Sequence, residues 1–153
     1  MSTYGNILLV EDSPSDEGLV LRALKKHNID NPVTVARDGQ EAVDYLFGRG
    51  AYEGRDIDDL PVLILLDLKL PKLSGLEVLQ CIRKDERTKL LPIVILTSST
   101  EDRDIIESYR LGANSYVSKP VEFQEFSNAI KQLGLYWIIL NKNVPRKATT
   151  DAK

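Results

Sequence analysis

Residues 61–66 read Pro-Val-Leu-Ile-Leu-Leu, and the next residue is Asp67. An unbroken apolar run without alternation fits a strand covered on both faces, as in a parallel sheet. A carboxylate has no place inside such a strand. At its C-terminal end, however, a side chain emerges where open α/β sheets bind ligands. The same arrangement recurs along the chain. Glu11 and Asp12 follow Ile7-Leu8-Leu9-Val10, Thr97 follows Ile93-Val94-Ile95-Leu96, and Lys119-Pro120 follows Tyr116-Val117-Ser118. Four strands thus carry polar groups to one edge of a sheet.

Between these runs lie amphipathic helical patterns, the mark of successive βα units. Strands are expected near 6–11, 33–36, 62–67, 92–97 and 114–118. Helices are expected near 15–28, 39–47, 74–86, 100–111 and 122–134. Ser74-Gly75-Leu76-Glu77 has capping-box spacing, Ser15 and Asp38 precede helical runs, and Gly112 suits a helix C-terminus. Five such units with right-handed crossovers make a doubly wound three-layer α/β sandwich.

A length of 153 residues fits one domain. The net charge of −3 argues against a nucleic-acid surface. A single cysteine, Cys81, excludes an internal disulfide and a Cys-rich zinc site, and its helical surroundings read as a buried, inert thiol. The N-terminal residues lack a secretory pattern, so a cytoplasmic chain is expected. His27, the one histidine, stands beside Lys25 and Lys26 and reads as solvated.

Two segments exceed what five βα units need. Residues 48–60 are polar, hold three glycines and outrun the usual connection of about 2–6 residues. A solvated insertion is the preferred reading and a partner-contacting loop the alternative. Leu135-Tyr136-Trp137-Ile138-Ile139-Leu140 is apolar on every side. Such a run is far short of the ~20 residues that cross a bilayer, so a covering second copy of the chain is expected, giving a homodimer. The domain is placed at 1–140, with 141–153 a tail disordered toward its end.

Three carboxylates at one rim repel one another. At ~5 Å and an effective dielectric of about 20, one pair costs roughly 3 kcal/mol. A cation must offset that, and oxygen ligands without His or Cys suit Mg²⁺, with Mn²⁺ possible. Lys119 adds a fixed positive charge and Thr97 a hydroxyl. The set suits phosphoryl transfer onto an Asp oxygen.

These residues resemble the receiver domain of response regulators in two-component signalling. The resemblance covers about residues 5–133 and rests on Glu11-Asp12, on L-L-D-L-K-L-P-K-L-S-G ending at Gly75, on L-T-S-S around Thr97, and on Y-V-S-K-P from Tyr116 to Pro120. The separations of thirty residues from Asp67 to Thr97 and twenty-two from Thr97 to Lys119 match as well. The resemblance implies a flavodoxin-like (βα)5 fold with strand order 2-1-3-4-5. It makes Asp67 the phosphoacceptor, and assigns Mg²⁺ to Asp12, Asp67 and the Lys69 backbone carbonyl, with Glu11 reaching it through water. Lys119, held by a cis Lys119–Pro120 bond, would meet the phosphoryl oxygens. Thr97 and Tyr116 would act as the switch, altering the surface of the fourth helix, fifth strand and fifth helix. Such a protein is no enzyme beyond its own phosphorylation and dephosphorylation.

The 48–60 segment and the Tyr136-Trp137…Asn141 extension resemble stand-alone receivers that partner phytochrome-type histidine kinases as homodimers. With no output domain expected beyond Leu140, partners would be a histidine kinase, a phosphotransfer protein or a docking target, and neither nucleic acid nor membrane. Two competitors remain. One is a scaffold receiver that is never phosphorylated. The other is a Mg²⁺-dependent phosphohydrolase with an Asp nucleophile, disfavoured because Lys69 stands where haloacid-dehalogenase-type phosphatases carry a second Asp.

Overall fold

In a computed structural model, described for residues 5–119 and 122–142, five strands form one parallel sheet. They are β1 (Ile7–Val10), β2 (Val33–Ala36), β3 (Leu63–Leu66), β4 (Ile93–Thr97) and β5 (Ser115–Ser118), in order β2-β1-β3-β4-β5. Helices α1 (Pro14–Lys26), α2 (Gly39–Phe47), α3 (Gly75–Lys84), α4 (Asp102–Arg110) and α5 (Phe123–Leu133) follow the strands in turn.

Alternation along each strand divides the core in two. Leu8, Val10, Ile64, Leu66, Ile93 and Ile95 face α2 and α3, meeting Ala42, Leu46, Val78, Leu79 and Ile82. Ile7, Leu9, Leu63, Leu65, Val94 and Leu96 face α1 and α5, meeting Val20, Ala23, Leu24, Phe126, Ile130 and Leu133. Because β1 and β3 are covered on both sides, apolar side chains fill every one of their positions. In register, Leu9 lies beside Val35 and Leu65, and Leu65 beside Val94. β1, β2 and β3 end level and β4 and β5 run two residues further, so the residues that end or follow the strands share one rim.

Helix starts depart from expectation in one instructive place. Ser13, not Ser15, caps α1, its Oγ accepting from Asp16 N–H at 3.3 Å. Pro14 then occupies the first helical position, where its fixed φ suits a helix and its missing N–H costs nothing. Asp38 caps α2, and Ser74 with Glu77 completes the expected capping box of α3. Gly75 is required where it stands: a Cβ there would lie 2.1 Å from the Asp67 carbonyl oxygen. That close approach seats the α3 N-terminus against the end of β3.

The 48–60 segment is pinned rather than merely solvated. It contains a 3-10 turn at Gly50–Tyr52. Tyr52 donates to Glu41 at 2.8 Å and packs edge-on against Tyr45. Arg55 lies over the Tyr45 ring at 3.8 Å, and Arg87 donates to the Ile57 carbonyl at 2.9 Å. Asp56, Asp58 and Asp59 remain exposed.

Two expectations need correction. Cys81 is only half-buried, packed beside the α2–α3 core. His27 is half-buried rather than solvated, its Nε2 2.9 Å from Ser127 Oγ, which ties the end of α1 to α5. The last turn of α1 packs on α5, and the fully buried Ser127 needs a partner.

Beyond α5 the chain winds on as a π-helical segment, Gly134–Leu140. Trp137 and Ile138 pack on the α1–α5 core, while Leu135, Tyr136, Ile139 and Leu140 are exposed. No helix among the described residues is long and apolar enough to cross a membrane. The expected disorder beyond residue 142 and the Lys119–Pro120 bond lie outside the described residues.

Candidate functional site: an acidic cluster around Lys119

Parallel pairing continues one residue past three strands and fixes the rim. Glu11 N–H donates to the Ala36 carbonyl at 2.9 Å, Asp67 N–H to Val10 at 3.1 Å, and Lys119 N–H to Thr97 at 2.7 Å. Each side chain thus leaves a backbone locked to its neighbouring strand, which is the rigidity a charged site needs.

The side chains converge on one ammonium. Lys119 Nζ donates to Glu11 Oε1 at 2.5 Å, to Asp16 Oδ2 at 2.9 Å and to Asp67 Oδ2 at 3.0 Å. The lysine side chain is only 8% exposed and that of Glu11 2%. Remaining acceptor capacity is partly taken by backbone. Glu11 Oε2 accepts from Ser13 N–H at 3.3 Å, and Asp67 Oδ1 from Lys69 N–H at 3.3 Å. Asp12 is exposed beside them.

Electrostatics follow from burial and crowding. Burial is the main force pushing the Glu11 carboxyl up to about 7; the Asp67 charge adds to it and Lys119 opposes it. Burial alone would pull the Lys119 ammonium down, but hydrogen bonds to Glu11 and Asp16, with the Asp67 charge, hold it well above the ordinary lysine value. The lysine therefore stays charged, and the raised Glu11 carboxyl would be favoured in its ionised form by any further cation. Glu11, Asp12 and Asp67 each offer an oxygen, all within 4.8 Å of one another. Hard oxygen donors at that spacing fit a small divalent ion such as Mg²⁺ or Mn²⁺.

Thr97, fully buried, ends β4 at the same edge, and its Oγ1 accepts from Ser99 N–H at 3.4 Å. Tyr116 on β5 donates its phenol to the Ser99 carbonyl at 3.0 Å. Burial, foremost, pushes that phenol above its ordinary value. Ser99 Oγ in turn donates to Asp104 Oδ2 at 2.5 Å at the start of α4. Threonine, tyrosine and α4 are thus linked through one serine.

The structure brings together Glu11, Asp12, Asp67 and Lys119 as the sequence led one to expect, and places Lys69, Thr97 and Tyr116 in the adjoining loops and strands. Sequence reasoning missed Asp16 and Ser99. The signal for Asp16 was the Ser13-Pro14 cap, which puts residue 16 in the first turn of α1, above the ends of the strands.

Comparison with known proteins agrees with this geometry. The family model "Response regulator receiver domain" matches residues 7–131. The chain is 39% identical to Response regulator Rcp1 of Synechocystis over 86% of its length and 88% of Rcp1. The Mn²⁺-bound form of Rcp1 superposes with a TM-score of 0.84 at 37% identity, covering 92% of this chain and 99% of that one. The phosphorylated cyanobacterial phytochrome response regulator RcpA gives a TM-score of 0.86 at 35% identity, covering 94% and 100%. The bacteriophytochrome response regulator AtBRR gives 0.73 at 50% identity, covering 92% and 100%.

The chain belongs to the response regulator receiver domain family. Domains of this family are generally phosphoacceptors in two-component signalling, bind Mg²⁺ at an acidic pocket, and imply a histidine kinase or phosphotransfer partner.

Proposed function

We propose that this receiver takes a phosphoryl group onto Asp67 from a phytochrome-type histidine kinase, or from a phosphotransfer protein serving one. The observation that carries the reading is the convergence of Glu11, Asp16 and Asp67 on Lys119, with Asp12 beside them. Glu11, Asp12, Asp67 and the Lys69 backbone carbonyl would hold Mg²⁺, with Glu11 acting through water. Bound there, the ion supplies neutralisation of the phosphoryl oxygens.

The chain's own residues do the rest. An Asp67 carboxylate oxygen attacks phosphorus, the P–N bond to the donor imidazole breaks, and that nitrogen leaves with the electron pair. Lys119 offsets charge on the transferred group, and Thr97 donates its hydroxyl to it. Turning Thr97 toward the phosphoryl group breaks its bond with Ser99 N–H. That frees the loop held by Tyr116 and Asp104, and so alters the surface of α4, β5 and α5. Chemistry is confined to the protein's own phosphorylation and dephosphorylation, and the switched surface selects partners in a cytoplasmic phosphorelay.

The similarity to RcpA, AtBRR and Rcp1 supports the phytochrome link. Phosphotransfer profiling tests it: phosphorylated phytochrome-type kinases should label the chain within seconds, and unrelated histidine kinases far more slowly. Equal rates from both would remove the phytochrome assignment.

We also assign a homodimer to the π-helical extension of a domain spanning residues 1–140, with 141–153 a tail. Leu135, Tyr136, Ile139 and Leu140 are all more than 40% exposed, apolar surface that a second copy would cover. Sedimentation should show a dimer that becomes a monomer when residues 135–153 are removed. An unchanged mass would contradict the assignment.

A further inference from the structure

Asp16 takes no part in phosphoryl transfer as set out above, yet its Oδ2 lies 2.9 Å from Lys119 Nζ. A lysine ammonium has three N–H bonds. Glu11, Asp16 and Asp67 take one each. Two of these acceptors, Glu11 and Asp67, also belong to the trio whose oxygens could hold a divalent ion, and Asp16 does not. Lys119 and the ion thus compete for the same two acids. Asp16 is the one acceptor of the three that stands outside that trio.

The local fold supports that division. Asp16 sits in the first turn of α1, where Ser13 Oγ accepts its N–H and Pro14 precedes it. Its backbone cannot follow the lysine. The pair is half-buried, the lysine side chain being 8% exposed and that of Asp16 34%, so water screens it from the α1 side only.

We propose that Asp16 is a positioning residue for Lys119: it draws the ammonium toward α1, leaves Glu11 and Asp67 open to a divalent cation, and keeps the lysine charge at the rim. The proposal rests on the reading that Asp12 and Asp67 hold the cation, with Glu11 reaching it through water.

Calorimetric titration with Mg²⁺ alone tests it, on the full chain without phosphodonor. Asp16→Asn should raise the Mg²⁺ Kd about fivefold, in the range of coupling within one ion-pair network, and Asp16→Glu should recover most of the loss. In a Lys119→Ala background, Asp16→Asn should change nothing, since no ammonium is left to steer. An equal loss with and without Lys119 would show a bare effect of charge and overturn the proposal. So would a wild-type Kd in Asp16→Asn. Should the Lys119→Ala background not fold, the ε-methylene resonance of Lys119 in metal-free Asp16→Asn decides: a shift is expected, and an unchanged resonance contradicts. Asp12→Asn separates the two levels of the account. Undiminished Mg²⁺ binding there would mean the ligand set is wrong. Loss there without loss in Asp16→Asn would defeat only the role of Asp16.

Discussion

Asp67→Asn should remain folded and stay unlabelled when incubated with acetyl phosphate and Mg²⁺, conditions under which the wild-type chain gains one phosphoryl group. The substitution keeps the shape of the side chain, and the Asp67 N–H bond to Val10 that seats it belongs to the backbone. What it removes is the nucleophile, since an amide oxygen does not form a stable phosphoanhydride. It also removes one of three clustered negative charges, so stability should hold or rise slightly. Incorporation should fall to background, measurable by intact-mass spectrometry. Labelling of the Asn variant at the wild-type level would place the acceptor elsewhere.

Lys119→Ala should lower the stability of the metal-free protein by about 3 kcal/mol, the low end of the cost of leaving a buried charge without its partner. Three carboxylates lose their shared ammonium, and Glu11, at 2% exposure, cannot turn to water instead. The cost stays near that lower end because Glu11, already pushed up to about 7, can take a proton. Mg²⁺ should return much of the loss, because the ion supplies the missing positive charge. Denaturant midpoints with and without Mg²⁺ measure both. A variant as stable as wild type without metal would show that the lysine does not hold the cluster together.

Strand ends were legible for a reason that is local. A strand covered on both faces tolerates only apolar side chains, so the first polar residue marks the rim, as Glu11 and Asp67 do after β1 and β3 and Thr97 does at the end of β4. Helices α1, α2 and α3 also carry cap signals, although the cap of α1 is Ser13 ahead of Pro14 and not Ser15. The misses are long-range. Asp16 meets a lysine 103 residues away and His27 a serine 100 residues away, which no local pattern contains. The 48–60 segment looked solvated by composition, yet Arg55 and Arg87 fasten it by donating to backbone carbonyls. Such bonds depend on where other elements pass, not on the identity of the residues that accept them. Ser99 was hidden for the same reason: its hydroxyl and carbonyl gain meaning only once Tyr116 and Asp104 have been brought to it.

Beryllofluoride, a mimic of the phosphoryl group, offers the most direct measurement. Titrated calorimetrically into the wild-type chain, it should bind once per chain with Mg²⁺ present and not at all with the metal chelated. Equal binding in both conditions would contradict the claim that these acids gather a divalent ion to make Asp67 a phosphoacceptor.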